Sequence, residues 1–216
     1  MIESIVLQEY DTQAFERAEA VIKDGGLVVA PTDTVYGIMG DATQATVIER
    51  LYELKQRPHE KAFPVFVRDI AMARWFAYIS DVKAQFLTTI WPGPVTAIFH
   101  HKEKLPPILT VSGDTIGLRM PNAPFIRSLL NRLQIPLVQS SANISGSNPA
   151  TTVEDIMSLF DTQEQKPDLV IDGGEIKGAS SSVIDFTANE PRLIRSGLMN
   201  KNEFELLCVR LKGDAG

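Results

Sequence analysis

A single cysteine, Cys208, stands in 216 residues. One thiol excludes an intramolecular disulfide, and with no Cys-x-x-Cys pair a thiolate zinc site is excluded as well. Histidine is nearly as scarce. His59, His100 and His101 lack ligand spacing for zinc, so no protein-held metal is expected. Nowhere do about 18 apolar residues run together, which excludes a hydrophobic spanning helix. The stretch from Met1 to Tyr10 carries Glu3 and Glu9 where a signal peptide would have a basic start and an apolar run. These shortages predict a soluble protein of the reducing cytoplasm with no membrane partner. The common catalytic fingerprints are missing too. GxxxxGK[ST] and GxGxxG are absent, so neither a P-loop nor a Rossmann motif supports a nucleotide claim. Gly-x-Ser-x-Gly and His-Glu-x-x-His are absent as well, leaving triad and zincin hydrolysis without support.

What is present is ordinary globular composition: 44% hydrophobic and 22% charged residues, enough for a sizeable core. The net charge of −6 argues against whole-molecule attraction to nucleic acid, while leaving room for a local basic patch. Amphipathic helices alternate with short apolar runs. Asp11 is placed to cap a helix with Ala14, Ala18, Val21 and Ile22 on one face, ended by Gly25-Gly26. Leu27 to Ala30 reads as a buried strand before Pro31. The next helix begins near Thr43, repeats Val47, Ile48, Leu51 and Leu54, and is expected to stop before Pro58. Strands are predicted over 63–67, 95–99, 115–120, 135–139, 169–172, 182–186 and 192–194. Helices are predicted over 69–78, 81–90 and 123–133. Another, capped by Thr151 with Glu154, reaches Phe160, and a last one is capped by Asn202, with Phe204, Leu207, Cys208 and Leu211 on one side. This alternation predicts one α/β domain over residues 1–216 with a mixed sheet flanked by helices.

Chemistry concentrates in polar segments at strand ends, where α/β sheets bind ligands. Pro31-Thr32-Asp33-Thr34-Val35-Tyr36-Gly37 offers hydroxyls to a small polar ligand, and reads equally as a hydrogen-bonded turn. Lys55-Gln56-Arg57-Pro58-His59-Glu60-Lys61 gathers cations suited to a polyphosphate, although cations at a helix C-terminus also complement its dipole. Between residues 50 and 74, basic positions 50, 55, 57, 61, 68 and 74 face acidic positions 53, 60 and 69. Ser140 to Pro149 is expected to be a small, polar loop outside the core, in which Ser141 and Asn143 offer donors and acceptors. Arg119, among apolar neighbours, needs an anionic partner. Arg195 precedes Ser196-Gly197. Each arginine also reads as one half of a structural salt bridge.

Taken in order, PTDTVYG (31–37), KQRP (55–58), TIGLRMP (115–121), SSANISG (140–146), SSVIDF (181–186) and LIRSG (193–197) resemble the threonylcarbamoyl-AMP synthase family, also called YrdC-like. The resemblance covers most of the chain, with the motif-bearing core at about 12–197. It implies an open twisted sheet with a large positive cleft. It also implies an enzyme joining L-threonine, bicarbonate (or CO2) and ATP into threonylcarbamoyl-AMP and pyrophosphate, for modification of adenosine 37 in tRNA. By the family pattern, Thr34, Arg119, Ser141 and Ser181 hold threonine. Arg57, Lys61, Thr115, Asn143, Thr151 and Arg195 surround ATP, and Lys55 and Arg57 form the catalytic KxR element. Mg2+ is expected to arrive with ATP, held by phosphate and water. Transfer partners downstream and double-stranded RNA in the cleft are further implied partners. A ribosome-associated or RNA-binding factor of the YciO type, without synthase activity, is the competing expectation. Three positions depart from the family pattern. Phe66 replaces a histidine near threonine, Ser180 replaces an acid, and Pro149-Ala150-Thr151 replaces Ser-Pro-Thr. No extra C-terminal domain is expected.

Overall fold

The computed structural model describes residues 2–7 and 12–213, the side chains only as far as residue 209. Its elements run β1 (Glu3–Val6), α1 (Thr12–Lys23), β2 (Val28–Ala30), β3 (Gly37–Asp41), α2 (Ala45–Lys55), β4 (Val65–Phe66), α3 (Ile70–Phe76), α4 (Asp81–Ile90) and β5 (Val95–His100). There follow α5 (Pro107–Thr110), β6 (Thr115–Arg119), α6 (Pro124–Leu133), β7 (Leu137–Ser141), α7 (Val153–Asp161), β8 (Leu169–Asp172), β9 (Ser182–Asp185), β10 (Arg192–Arg195) and α8 (Lys201–Gly213). The strands form one mixed sheet in the order β1-β8-β2-β3-β7-β4-β6-β5-β9-β10. Parallel pairs (β1 with β8, β2 with β8, β4 with β6, β5 with β9) are mixed with antiparallel ones.

Both faces of the sheet are covered, and the helix periodicity says by what. Ala14, Ala18, Val21 and Ile22 of α1 are buried together with Phe125, Ile126, Leu129, Leu130 and Leu133 of α6. These two helices cover one face, against Val28, Met39, Phe66, Leu137 and Leu169. The expected cap of α1, Asp11, lies outside the described residues. On the opposite face Val47, Ile48, Leu51 and Leu54 of α2 join Phe86, Leu87, Ile156 and Phe160 around Tyr36, Ile38 and Val138. Pro124 at the start of α6 costs nothing, because its missing N–H has no helical acceptor there.

Several boundaries differ from the sequence reading. β3 is a strand made largely of small residues, and its five positions are all buried. Its Gly37 and Gly40 conceal the apolar signal, yet it pairs along its whole length with β7. β7 runs to Ser141 rather than Gln139, and Ser140, Ala142 and Asn143 are buried. The segment expected to be a solvated loop therefore starts as strand, at Ser140 and Ser141, and stays largely buried through Asn143. α7 is capped by Thr152, whose hydroxyl accepts from Asp155 N at 3.2 Å, not by Thr151. α8 is capped by Asn200 and Glu203, which exchange reciprocal bonds at 3.0 and 2.7 Å, not by Asn202; the expected Leu211 contact lies outside the described side chains. β1 and the short α5 have no counterpart in the sequence reading.

Leu129 is fully buried beneath α1 and remote from the motif segments. Leu129→Ala is expected to cost about 2–5 kcal/mol, lowering the thermal midpoint by roughly 2–4 °C per kcal/mol. A calorimetric scan checks it.

Candidate active site

The chain leaves β2 through Pro31 into a turn organised by one hydroxyl. Thr32 Oγ1 donates to Val35 O at 2.6 Å and accepts from Thr34 N and Val35 N. The Thr32 and Thr34 hydroxyls also lie within hydrogen-bond distance, 2.9 Å apart. Thr34 Oγ1 accepts from Arg119 Nη1, 3.2 Å away. Arg119, the last residue of β6, is almost wholly buried. Its Nε donates to Gly93 O at 3.1 Å, and Nη2 donates to Asp33, whose second oxygen holds Asn122 N at 3.0 Å. Burial lowers the Arg119 pKa, Asp33 opposes that, and nearby Arg195 pushes it down further. Phe66 is fully buried, and the Arg119 guanidinium lies over its ring, 5.5 Å from the centroid. The aromatic ring thus serves as a cation–π support under the arginine.

α2 ends in a way that separates its two motif cations. Gln56 takes a left-handed conformation, φ 47°, with Gln56 N bonded to Glu53 O and Arg57 N to Tyr52 O. This is a Schellman closure, so the helix stops before Pro58 acts. Arg57, beyond the reversal, is fixed by Nε to Lys61 O and Nη2 to Ala62 O, both 2.9 Å, with its guanidinium 4.7 Å from the Phe63 ring centroid. Lys55, before the reversal, turns inward to Ser141 and Asn143.

The third arginine depends on two backbone crossings. Arg195, at the end of β10, donates from Nε and Nη2 to Ser181 O at 3.2 and 2.8 Å. The buried Ser182 hydroxyl donates to Met199 O and accepts from Gly197 N and Met199 N. Gly197 lies so close to the 180–182 backbone that a Cβ would sit 2.2 Å from Ser180 O. Gly178 presses on the first motif still harder: its Cβ would lie 1.5 Å from Thr34 O. Only glycine permits that approach. The strap of residues 173–181 is thereby laid directly across Thr34.

These segments enclose a cleft of about 350 Å³ whose lining includes Arg57, Arg119 and Arg195 and, among the described residues, no carboxylate. Burial depresses the pKa of all three arginines, yet guanidinium stays charged in proteins. Asp33 pairs with Arg119 alone among the three arginines, so the cleft carries a surplus of positive charge inside an acidic protein. A larger hollow of about 650 Å³ lies between Thr88–Val95 and α8, lined by none of the motif residues singled out by sequence.

Of the residues singled out by sequence, Thr34, Arg57, Thr115, Arg119, Ser141, Ser181 and Arg195 line the cleft. Ser141 Oγ donates to Asn143 Oδ1 at 2.6 Å, and Ser181 Oγ meets Thr96 Oγ1 at 3.1 Å. Lys55, Lys61, Asn143 and Thr151 are not in the lining. Lys55 is buried beneath the 141–147 loop, and Asn143 sits between it and Ser147. Lys61 is exposed and lends its carbonyl to Arg57. Thr151 bonds Ile176 N through its own carbonyl at 2.9 Å, which ties the strap to the loop before α7. Sequence reasoning missed Thr96 and Gln139, which line the cleft. The signal was there for Thr96, a hydroxyl among the apolar residues 95–99, whereas Gln139 merges with the polar end of β7. Ser180, expected only as a departure, also lines it.

Comparison with known proteins agrees with this geometry. A family model described as telomere recombination, the Sua5/YciO/YrdC domain, matches residues 20–197. The chain is 32% identical over 197 residues to the threonylcarbamoyl-AMP synthase of Pyrococcus abyssi, covering 90% of this chain and 57% of that protein. The structure of P. abyssi Sua5 complexed with L-threonine superposes with a TM-score of 0.87 at 30% identity, over 96% of this chain and 60% of that one. E. coli YciO superposes with a TM-score of 0.84 at 25% identity, over 94% of this chain and 98% of that one. The chain thus spans somewhat over half the length of the P. abyssi protein and nearly all of YciO, and it belongs to the Sua5/YciO/YrdC family.

Proposed function

We propose that this protein is a threonylcarbamoyl-AMP synthase, a nucleotidyltransferase that forms threonylcarbamoyl-AMP and pyrophosphate from L-threonine, bicarbonate and ATP. The observation that carries the reading is the convergence of Arg57, Arg119 and Arg195, from distant stretches of chain, on one cleft with no carboxylate among its described lining residues. The threonine complex of a relative with the same fold supports the amino-acid half.

The chemistry asks little covalent work of the protein. The threonine amine adds to CO2, released from bicarbonate with loss of water, and gives up a proton to become a carbamate. A carbamate oxygen then attacks the α-phosphorus of ATP and pyrophosphate leaves. No protein nucleophile is required, so catalysis rests on positioning and on neutralising charge. Arg119, already aligned by Asp33 and Gly93 O, pairs with the threonine carboxylate, while Thr34, Ser141 and Ser181 orient the amino acid. Arg57 and Arg195 face the triphosphate, with Lys61, Thr115, Asn143 and Thr151 around the nucleotide. ATP enters as its Mg2+ complex; with no carboxylate among the described lining residues, phosphate and water keep the metal. The product would serve tRNA modification in the cytoplasm, handed to a downstream transferase.

A second reading takes the chain, which matches YciO over almost that protein's whole length, as an RNA-binding factor without synthase activity. Tight tRNA binding with a steep salt slope and no ATP turnover would select it.

Purified protein is expected to release pyrophosphate only when threonine, bicarbonate and ATP are all supplied. Turnover indifferent to threonine would end the synthase reading. Arg57→Ala and Arg195→Ala each remove charged hydrogen bonds worth about 1.5–3 kcal/mol. Each is therefore expected to raise the KM for ATP roughly tenfold or more while the melting temperature barely moves. Gly178→Ala forces the strap off Thr34 and is expected to raise the KM for threonine more than that for ATP.

A further inference from the structure

Lys55 is the most deeply buried cation of the described residues, 1% exposed, and among them no carboxylate pairs with it. Its ammonium donates to Ser141 O at 2.6 Å, to Asn143 Oδ1 at 2.5 Å and to Asn143 O. Three N–H groups meet three acceptors, and its own backbone carbonyl takes Ser145 N at 2.9 Å. One residue therefore grips the 141–145 segment from both ends. The grip continues outward. Asn143 Oδ1 also accepts the Ser141 hydroxyl at 2.6 Å, and its Nδ2 donates to Ser147 O at 2.5 Å. The amide of Asn143 thus has one orientation, and the only proton of the Ser141 hydroxyl is spent on it.

We propose that Lys55 is a positioning residue which, through Asn143, fixes the Ser141 hydroxyl as a hydrogen-bond acceptor toward the cleft, and is not a ligand of the nucleotide. A hydroxyl whose proton is committed inward presents lone pairs outward, which suits the N–H of an amino acid or its carbamate. This assignment rests on the synthase reading for the identity of that N–H. It does not rest on it for the grip itself.

The charge state of Lys55 sharpens the argument. Burial lowers its pKa from the usual lysine value to about 7, and Arg57 is the charged neighbour that pushes the same way. Because the folded value lies below the unfolded one, the buried charge counts against the fold below about pH 7, and this cost is relieved as pH rises toward the ordinary lysine range. Loss of the third proton leaves one of the three acceptors unpaired and slackens the grip. Stability and threonine use therefore move in opposite directions above neutrality, a signature that neither a plain structural lysine nor a phosphate ligand would give.

The test uses the full chain with Lys55→Met, Lys55→Gln and Arg57→Ala. Amide hydrogen exchange of residues 142–147, measured without ligand, is expected to quicken about tenfold or more in Lys55→Met and less in Lys55→Gln, whose amide still donates. The KM for threonine is expected to rise with the exchange rate, while the Kd for Mg-ATP by calorimetry stays within about threefold, against roughly tenfold or more for Arg57→Ala. In wild type, kcat/KM for threonine is expected to fall above pH about 7, and this limb to vanish in Lys55→Met. Weakening of Mg-ATP as severe as in Arg57→Ala, with loop exchange unchanged, would overturn the proposal and make Lys55 a phosphate ligand. Should Lys55→Met not fold, Asn143→Ala cuts the same relay at its other end, and an unchanged threonine KM there would overturn it equally. If wild type makes no pyrophosphate, the synthase reading fails, and the exchange data still decide the grip.

Discussion

Like charges gathered in a half-buried cleft repel one another and lose solvation, and here Arg119 and Arg195 each carry that cost. The fold meets it with fixed dipoles more than with counter-ions. Gly93 O and Ser181 O hold Arg119 and Arg195, and the carbonyls of residues 61 and 62 hold Arg57. Aromatic faces lie against Arg57 and Arg119. Among the described residues, Asp33 is the one carboxylate spent on the cluster. Carbonyl oxygens orient guanidinium without discharging it, so the deficit of negative charge remains for a ligand to fill. Much of the surrounding geometry, including the Schellman closure at Gln56 and the crossings at Gly178 and Gly197, serves to aim these groups.

The helices and most of the sheet were legible in the sequence, because their burial follows the periods 3.6 and 2. The failures have physical causes. β3 was invisible because two glycines and an aspartate hide a strand that is buried only by its neighbours. The burial of Ser140 and Asn143 was invisible because composition reads them as solvent-loving, whereas Tyr36, Lys55 and Ser147 supply partners for the 141–143 segment inside the core. Motif order brought Thr34, Arg57, Arg119 and Arg195 to one place correctly. It could not separate Lys55 from Arg57. Residues two apart in sequence are assumed to act together unless a left-handed residue stands between them, and nothing about glutamine announces that conformation.

The two lysine–arginine neighbours therefore illustrate a division of labour that sequence motifs conceal. One cation stays inside the helix and organises a loop by donating to carbonyls; the other leaves the helix and meets solvent in the cleft. Phe66 shows the same logic from the other side. An apolar ring where the family resemblance implies an imidazole still contributes to the cleft, because it supports the cation above it.

The sheet order has a kinetic corollary. β2 and β8 lie side by side although about 140 residues separate Val28 from Leu169, and β5 meets β9 although about 87 residues separate Val95 from Ser182. Such pairings close late, after the entropy of long loops has been overcome. The arginine cleft draws on both, since β2 leads into the Thr34 turn and β9 follows the Ser181 anchor. Its three guanidinium groups are thus brought together only once both distant pairings have closed.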